Sequence, residues 1–269
     1  VISQLQELWK FRGLIFSLVQ RDLKVRYKNS VLGIIWSWLN PFLLMLVFAL
    51  VFGLVWKRTD MKNYHIFVLS GLLSWQFFTA AVIGGMHTIV GNAHLLKKVY
   101  FPREILPISI VLAGLVNYLI SLPVFFLLAL ASGQELTWWA LLLPIPILLE
   151  TLLVIGIALI LSTMEVFYRD THLLMDVVMQ AWFFLTPIFY PNDTVPHNAH
   201  LFGVEFDAQA WQLWINPMAS ISNLYQRLLY YGDFPRPEFF WPTVGTVLVV
   251  LIGGYLFFLR FSYRFGEEV

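Results

Sequence analysis

Long apolar runs broken by short polar segments set the rhythm of this chain. Six stretches, 32–56, 65–90, 105–131, 138–162, 173–190 and 239–259, are apolar over a length near the roughly 20 residues that a helix needs to cross hydrocarbon. The pattern predicts an all-α integral membrane protein with six transmembrane helices. No charged residue stands between Val31 and Trp56, nor between Phe239 and Leu259, so the first and last spans are the plainest. The fifth is short and closed by Thr186, Pro187 and Pro191. It is expected to stop inside the bilayer, with the chain after it re-entering rather than leaving.

Two further segments carry helical periodicity without spanning length. Residues 4–28 place Leu5, Leu8, Trp9, Phe11, Leu14, Ile15, Leu18 and Val19 at helical spacing, opposite Ser17, Gln20, Arg21, Lys24 and Lys28, with a possible break at Gly13. Such a helix suits the membrane interface, either as an anchor among anionic headgroups or as a platform for a cytosolic partner. Between the second and third spans lies Leu95-Leu96-Lys97-Lys98-Val99-Tyr100-Phe101-Pro102-Arg103-Glu104. A solvated basic loop and a short transverse helix are both open readings; the apolar surplus favours a helix covered by a partner or by headgroups.

Composition sharpens the picture. Hydrophobic residues make up 59% of the 269 and charged residues 12%, far below the about 25% of a soluble domain. The net charge of +1 gives no reason to expect a nucleic-acid partner. Where the cations sit matters more. Lys10, Arg12, Arg21, Lys24, Arg26, Lys28, Lys97, Lys98, Arg103, Arg169, Arg260 and Arg264 fall on one side of a six-span arrangement, against Lys57, Arg58, Lys62, Arg227 and Arg236 on the other. Both termini are therefore expected in the cytoplasm. The first 30 residues build no uninterrupted leader core, so the first span is expected to act as its own insertion signal. Cysteine is absent, which removes disulfides, thiolate metal sites and cysteine nucleophiles.

Few residues offer chemistry. Glu150 stands inside an apolar run, where an ionised carboxylate costs several kcal/mol unless paired or hydrated. It is either a functional acid or a protonated one satisfied by a neighbouring hydroxyl or backbone group. Asp176 is expected to pair locally with Arg169. Aromatic residues, 17% of the chain, cluster at particular heights and serve mainly as interfacial belts, with a minority free to line a conduit for sugars. No glycine is followed by lysine, so the chain has no phosphate-binding P-loop. There is no His-Glu-x-x-His zinc motif, and Glu165, Arg169, Asp170 and His172 form the one cluster an enzyme reading could use.

The run from Arg26 to Pro41, with Arg26-Tyr27-Lys28, Ser30, Leu32-Gly33, Trp36 and Pro41, and the run Lys97-Lys98 followed by Phe101-Pro102-Arg103-Glu104 resemble the ABC-2 type permeases that export lipid-linked polysaccharides. The resemblance covers nearly the whole chain as one transmembrane domain, 1–269. It implies a homodimer of six-span permeases docked on two separate ATP-binding cassette subunits, which would hold ATP and magnesium; no cofactor belongs to this chain. Residues 4–28 would be an interface helix, 92–104 a coupling helix on the ATPase, and 187–238 re-entrant elements at the outer mouth. Lys24, Arg26 and Lys28 would meet a polyprenyl diphosphate head at the entrance. Trp36, Trp38, Phe42, Trp182, Phe183 and Tyr190 would line or gate the passage. The substrate implied is O-antigen, with teichoic acid or capsule as alternatives, and the location a cytoplasmic (inner) membrane.

From outside that family, an ion-coupled secondary transporter is the rival, with Glu150 at its centre, although no internal repeat supports it.

Overall fold

The computed structural model describes residues 9–28, 30–52, 61–98, 101–196, 199–201, 204–234 and 237–268. Helix α1, Arg12–Tyr27, is followed by a 3₁₀ turn, Gly33–Ile35, that runs into α2, Trp36–Leu50. Then come α3, Tyr64–Met86; the short α4, Thr88–Gly91; α5, Ala93–Lys98; α6, Ile105–Ala131; and α7, Pro144–Phe167, led in by a 3₁₀ turn at Trp138–Leu142. Helix α8 covers Thr171–Leu185, α9 Ala208–Ile215, α10 Pro217–Gln226 with a π turn at Arg227–Tyr231, α11 Pro237–Ser262 and α12 Phe265–Glu268. Among the described residues, five segments have spanning length and composition: Gly33–Leu50, Tyr64–Met86, Ile105–Ala131, Trp138–Phe167 and Pro237–Ser262.

The centre of the bundle is α3. It is apolar on every side, as a helix enclosed by others must be, and Ile66, Phe67, Val68 and Leu69 are all but fully buried. Helices α2, α6, α7 and α10 pack around it. The most extensive pairing joins α7 to α11. Its cause is a pair of glycines: a Cβ on Gly156 would lie 2.7 Å from the Val250 carbonyl oxygen and 2.8 Å from the Leu251 Cα, and one on Gly254 would strike the Gly156 backbone. Small residues let membrane helices gain dispersion contact where no hydrophobic effect drives them together.

Proline breaks are repaired locally. Pro41 inside α2 has no N–H for the Ser37 carbonyl, and Ser121 Oγ donates to that carbonyl instead at 3.0 Å. Trp38 Nε1 donates to the Ile120 carbonyl at 2.8 Å, a second tie between α2 and α6.

Several expectations need correction. The break in the first amphipathic segment falls at Phe11, whose backbone leaves the helix, and Gly13 is helical; residues 4–8 lie outside the described chain. Helix α1 packs along α6, with Leu18 in a buried cluster beside Ile105 and Tyr27 hydrogen-bonded to Asn117. The second span ends at Met86, because the chain turns at His87 before α4. The fifth helix has 15 residues, about 22 Å of rise, and ends before Thr186-Pro187, so Phe189 and Tyr190 lie beyond it. The all-α class holds, with one small addition outside the helices, where Ala199–Leu201 pairs antiparallel with Val204–Phe206.

Helix α10 is the other departure from a plain bundle. It is ten residues long, buried along most of its length, and wedged among α3, α7 and α11. Two of its polar side chains reach partners inside the bundle: Gln226 Nε2 donates to the Pro187 carbonyl at 2.7 Å, and the Ser220 and Thr243 hydroxyls share a hydrogen bond.

Candidate functional site

At the end of the bundle that carries α1, α5 and α12, the chain forms a fastened platform. Leu95 and Leu96 pack half-buried against a cluster containing Phe101, Ile105, Phe258 and Phe265, while His94, Lys97 and Lys98 face outward. Val99 and Tyr100 lie outside the described residues. Among the described residues of 92–104, helix α5 covers Ala93–Lys98, and Phe101 to Glu104 are non-helical. Phe101 and Glu104 are buried and Pro102 half-buried; Arg103 donates to the Ser262 carbonyl and lies 6.0 Å over the Phe265 ring. Arg21 Nη1 donates to Asn92 Oδ1 at 3.4 Å, and Asn92 Nδ2 donates to the Thr88 carbonyl at 2.8 Å. The segment thus splits into an outward basic pair and an inward anchor.

A polar cleft opens between α1, α2, α3 and α6. Two adjoining cavities of about 360 and 270 Å³ share Arg26, Asn40, Gln76 and Asn117. Asn117 stands 12 residues into α6, about 18 Å along it, so α1 carries Arg26 to the level of the mid-helix amides. Lys24 and Lys28 are exposed, and neither lines these cavities. Asn117 Oδ1 accepts the Tyr27 hydroxyl and the Ser37 hydroxyl, the latter at 2.8 Å. Asn40, Gln76, Thr79 and Asn117 escaped the sequence reading because each is a single polar residue within an apolar run; that isolation was itself the available signal.

The aromatic candidates fall into two groups. Trp36 borders the cleft and Trp38 is tied to α6 beside it. At the opposite end, Phe183 packs 5.6 Å from both Phe48 and Trp75, with Phe189 stacked on Phe52 at 4.6 Å. Phe42 packs half-buried against the core between them. Trp182 meets Phe78 edge-on at 5.1 Å and donates to Asn216 Oδ1 at 2.7 Å. Tyr190 donates to the Phe184 carbonyl at 3.2 Å and accepts from Gln212 at 2.8 Å. Between α8 and α9 lies an apolar groove of about 620 Å³ that includes Trp182, Trp211 and Ile215.

Glu150 is fully buried in α7 and lines neither cleft nor groove. Its Oε1 accepts the Ser74 hydroxyl at 3.2 Å and its Oε2 the Tyr225 hydroxyl at 2.7 Å. Glu165 sits 2.6 Å from His87 Nδ1, while His172 Nδ1 lies 2.6 Å from the Arg169 carbonyl and Arg169 and Asp170 are exposed. Among the described residues no group of three His, Asp or Glu is placed to hold a metal ion, and no ion pair joins Arg169 to Asp176.

A sequence profile described as ABC-2 type transporter matches residues 13–230, the stretch from α1 through the π turn. The chain belongs to the ABC-2 type transporter family. This ABC-2 chain is 35% identical, over the full length of both proteins, to the O-antigen export system permease protein RfbA of Myxococcus xanthus. It is 30% identical over 94% of each chain to the protein of the same name from Klebsiella pneumoniae. A more distant relative is the polysialic acid transport protein KpsM of Escherichia coli, 24% identical over 77% of this chain and 78% of that one. Both runs that carried the resemblance at sequence level, Arg26 to Pro41 and Lys97 to Glu104, lie within the matched region of the ABC-2 domain.

Proposed function

We propose that this chain is the transmembrane permease of an ATP-driven exporter that carries lipid-linked polysaccharide of the O-antigen class across the cytoplasmic membrane. The observation that carries the reading is the end-to-end relationship, at 35% identity, to a permease named for O-antigen export. Export of a capsule-type polymer is the second reading, favoured by the partial relationship to the polysialic acid transport protein.

In this reading two copies of the chain associate with two ATP-binding cassette subunits, which bind ATP and magnesium. The platform faces the cytoplasm with both termini. Lys97 and Lys98, exposed on α5, meet the ATPase, and the Arg103 contacts to the last turn of α11 pass its movement to the bundle. Six crossings are completed by α8, which alone falls short of the hydrocarbon thickness, with the re-entrant pair α9 and α10 following its short end. Lys24, Arg26 and Lys28 receive the lipid diphosphate; Trp36 and Trp38 flank that entrance, and Phe42, Trp182, Phe183 and Tyr190 lead toward the far side. Aromatic faces stack on sugar rings and tolerate sliding, which suits a polymer in transit.

The ion-coupled rival loses its main support in the geometry of Glu150, whose oxygens are taken up by two hydroxyls inside the core. The deciding experiment is purification of the tagged chain from its native membrane in mild detergent, with mass spectrometry and an ATPase assay. A stoichiometric P-loop ATPase that hydrolyses ATP in the complex is expected. Recovery of a stable chain with no ATPase would overturn the exporter reading.

A further inference from the structure

The polar cleft has an unusual floor for a membrane protein. Gln76 Nε2 and Thr79 Oγ1 are shielded from solvent by the cleft walls, yet neither has a hydrogen-bond partner within the described chain. Each such group costs about 1 to 3 kcal/mol if left unmade. Asn117 Oδ1 is already occupied by two hydroxyls, and among the described residues no hydrogen bond uses its amide nitrogen. The floor is therefore built of uncharged donors and acceptors, the exposed Trp36 borders it, and among the described lining residues Arg26 is the one cation. The combined space falls in the range of about 300 to 1,000 Å³ typical of small-molecule sites.

Neutral amides and hydroxyls beside an exposed indole match a hydroxylated sugar ring, and a single guanidinium beside them matches one phosphoryl group attached to it. We infer that this cleft binds the sugar-1-phosphate portion of a lipid-linked glycan, with Gln76, Thr79 and Asn117 reading the ring nearest the diphosphate and Arg26 holding the phosphoryl oxygens. The site distinguishes a lipid diphosphate that carries a sugar from one that does not. This rests on the exporter reading and adds to it a place where the first sugar is recognised, within one copy of the chain. The membrane's own phospholipids offer a phosphate and, in phosphatidylglycerol, hydroxyls, so the test must separate the two sources.

The test uses the full-length chain, with its ATPase, in phosphatidylcholine nanodiscs. The probes are a short-chain polyprenyl diphosphate and the same lipid bearing N-acetylglucosamine, with binding read by native mass spectrometry. The wild type is expected to favour the sugar-bearing probe by about tenfold, equivalent to ~1.4 kcal/mol. Gln76→Leu and Thr79→Val, which break no side-chain hydrogen bond among the described residues, should reduce that ratio toward one and leave the sugar-free probe unaffected. Arg26→Gln should weaken both probes alike.

Equal binding of the two probes by the wild type, or an unchanged ratio in both floor variants, would overturn the inference. So would displacement of the sugar-bearing probe by phosphatidylglycerol, which would make the cleft a phospholipid headgroup site. In each of those outcomes the ATPase would still co-purify and hydrolyse ATP, so the exporter reading would stand; its own failure would show as loss of the ATPase.

Discussion

Asn216 illustrates how much a single polar side chain can hold together. Its Oδ1 accepts the Met218 and Ala219 amides at 3.1 Å, capping α10, and also the Trp182 indole; its Nδ2 donates to the Leu185 carbonyl and the Thr186 hydroxyl. Replacing it with leucine removes a cap and strands several groups, and Asn216→Leu should cost about 2 to 4 kcal/mol, read as a lowered Tm in detergent. Glu150 makes the opposite point. Glu150→Gln keeps an acceptor for Ser74 or Tyr225 and should leave export unchanged. Glu150→Leu deprives both hydroxyls and should destabilise by about 1 to 3 kcal/mol per stranded group. An export assay on Glu150→Gln separates a structural acid from a coupling one.

Among the elements, α5 and α10 show what the sequence could and could not tell. The basic pair of α5 is outward, as its charge implies, but Phe101 and Glu104 are inward, and the run of ten residues gave no sign of where outward becomes inward. Charge reversal at Lys97 and Lys98 should therefore reduce co-purification of the ATPase by tenfold or more while leaving permease levels unchanged, as judged by immunoblot of the membrane fraction. Truncation of Phe101 should instead lower permease levels. The spans were legible because length and hydropathy are properties of composition. The burial of α10 was not, since Ser220, Ser222, Asn223 and Gln226 interrupt any apolar run, and Ser220 and Gln226 turn inward to Thr243 and the Pro187 carbonyl. The cleft was half legible: Arg26 stood in a recognisable run, whereas Gln76 and Asn117 come from different helices and meet only in space.

For the whole molecule, the α7–α11 crossing fixes how tightly the bundle closes. A leucine at Gly156 or Gly254 would have to push two backbones apart, and either substitution should abolish a monodisperse peak in size-exclusion chromatography. Gly156→Ala should survive at a cost of about 1 to 3 kcal/mol, the range for overpacking.

The shortness of α8 carries a consequence for the lipid around the protein. As the crossing that completes the proposed six, its 15 residues supply about 22 Å against a hydrocarbon core of about 30 Å, a deficit of about 8 Å at the end where α9 and the groove begin. Lipids beside that helix must compress or tilt to meet it. Such hydrophobic mismatch costs a fraction of a kcal/mol per ångström and favours bilayers of short-chain lipids. Reconstituted transport should then fall as acyl chains lengthen from 14 to about 20 carbons, and the membrane itself becomes a part of the machine that is pinched where the chain is thinnest.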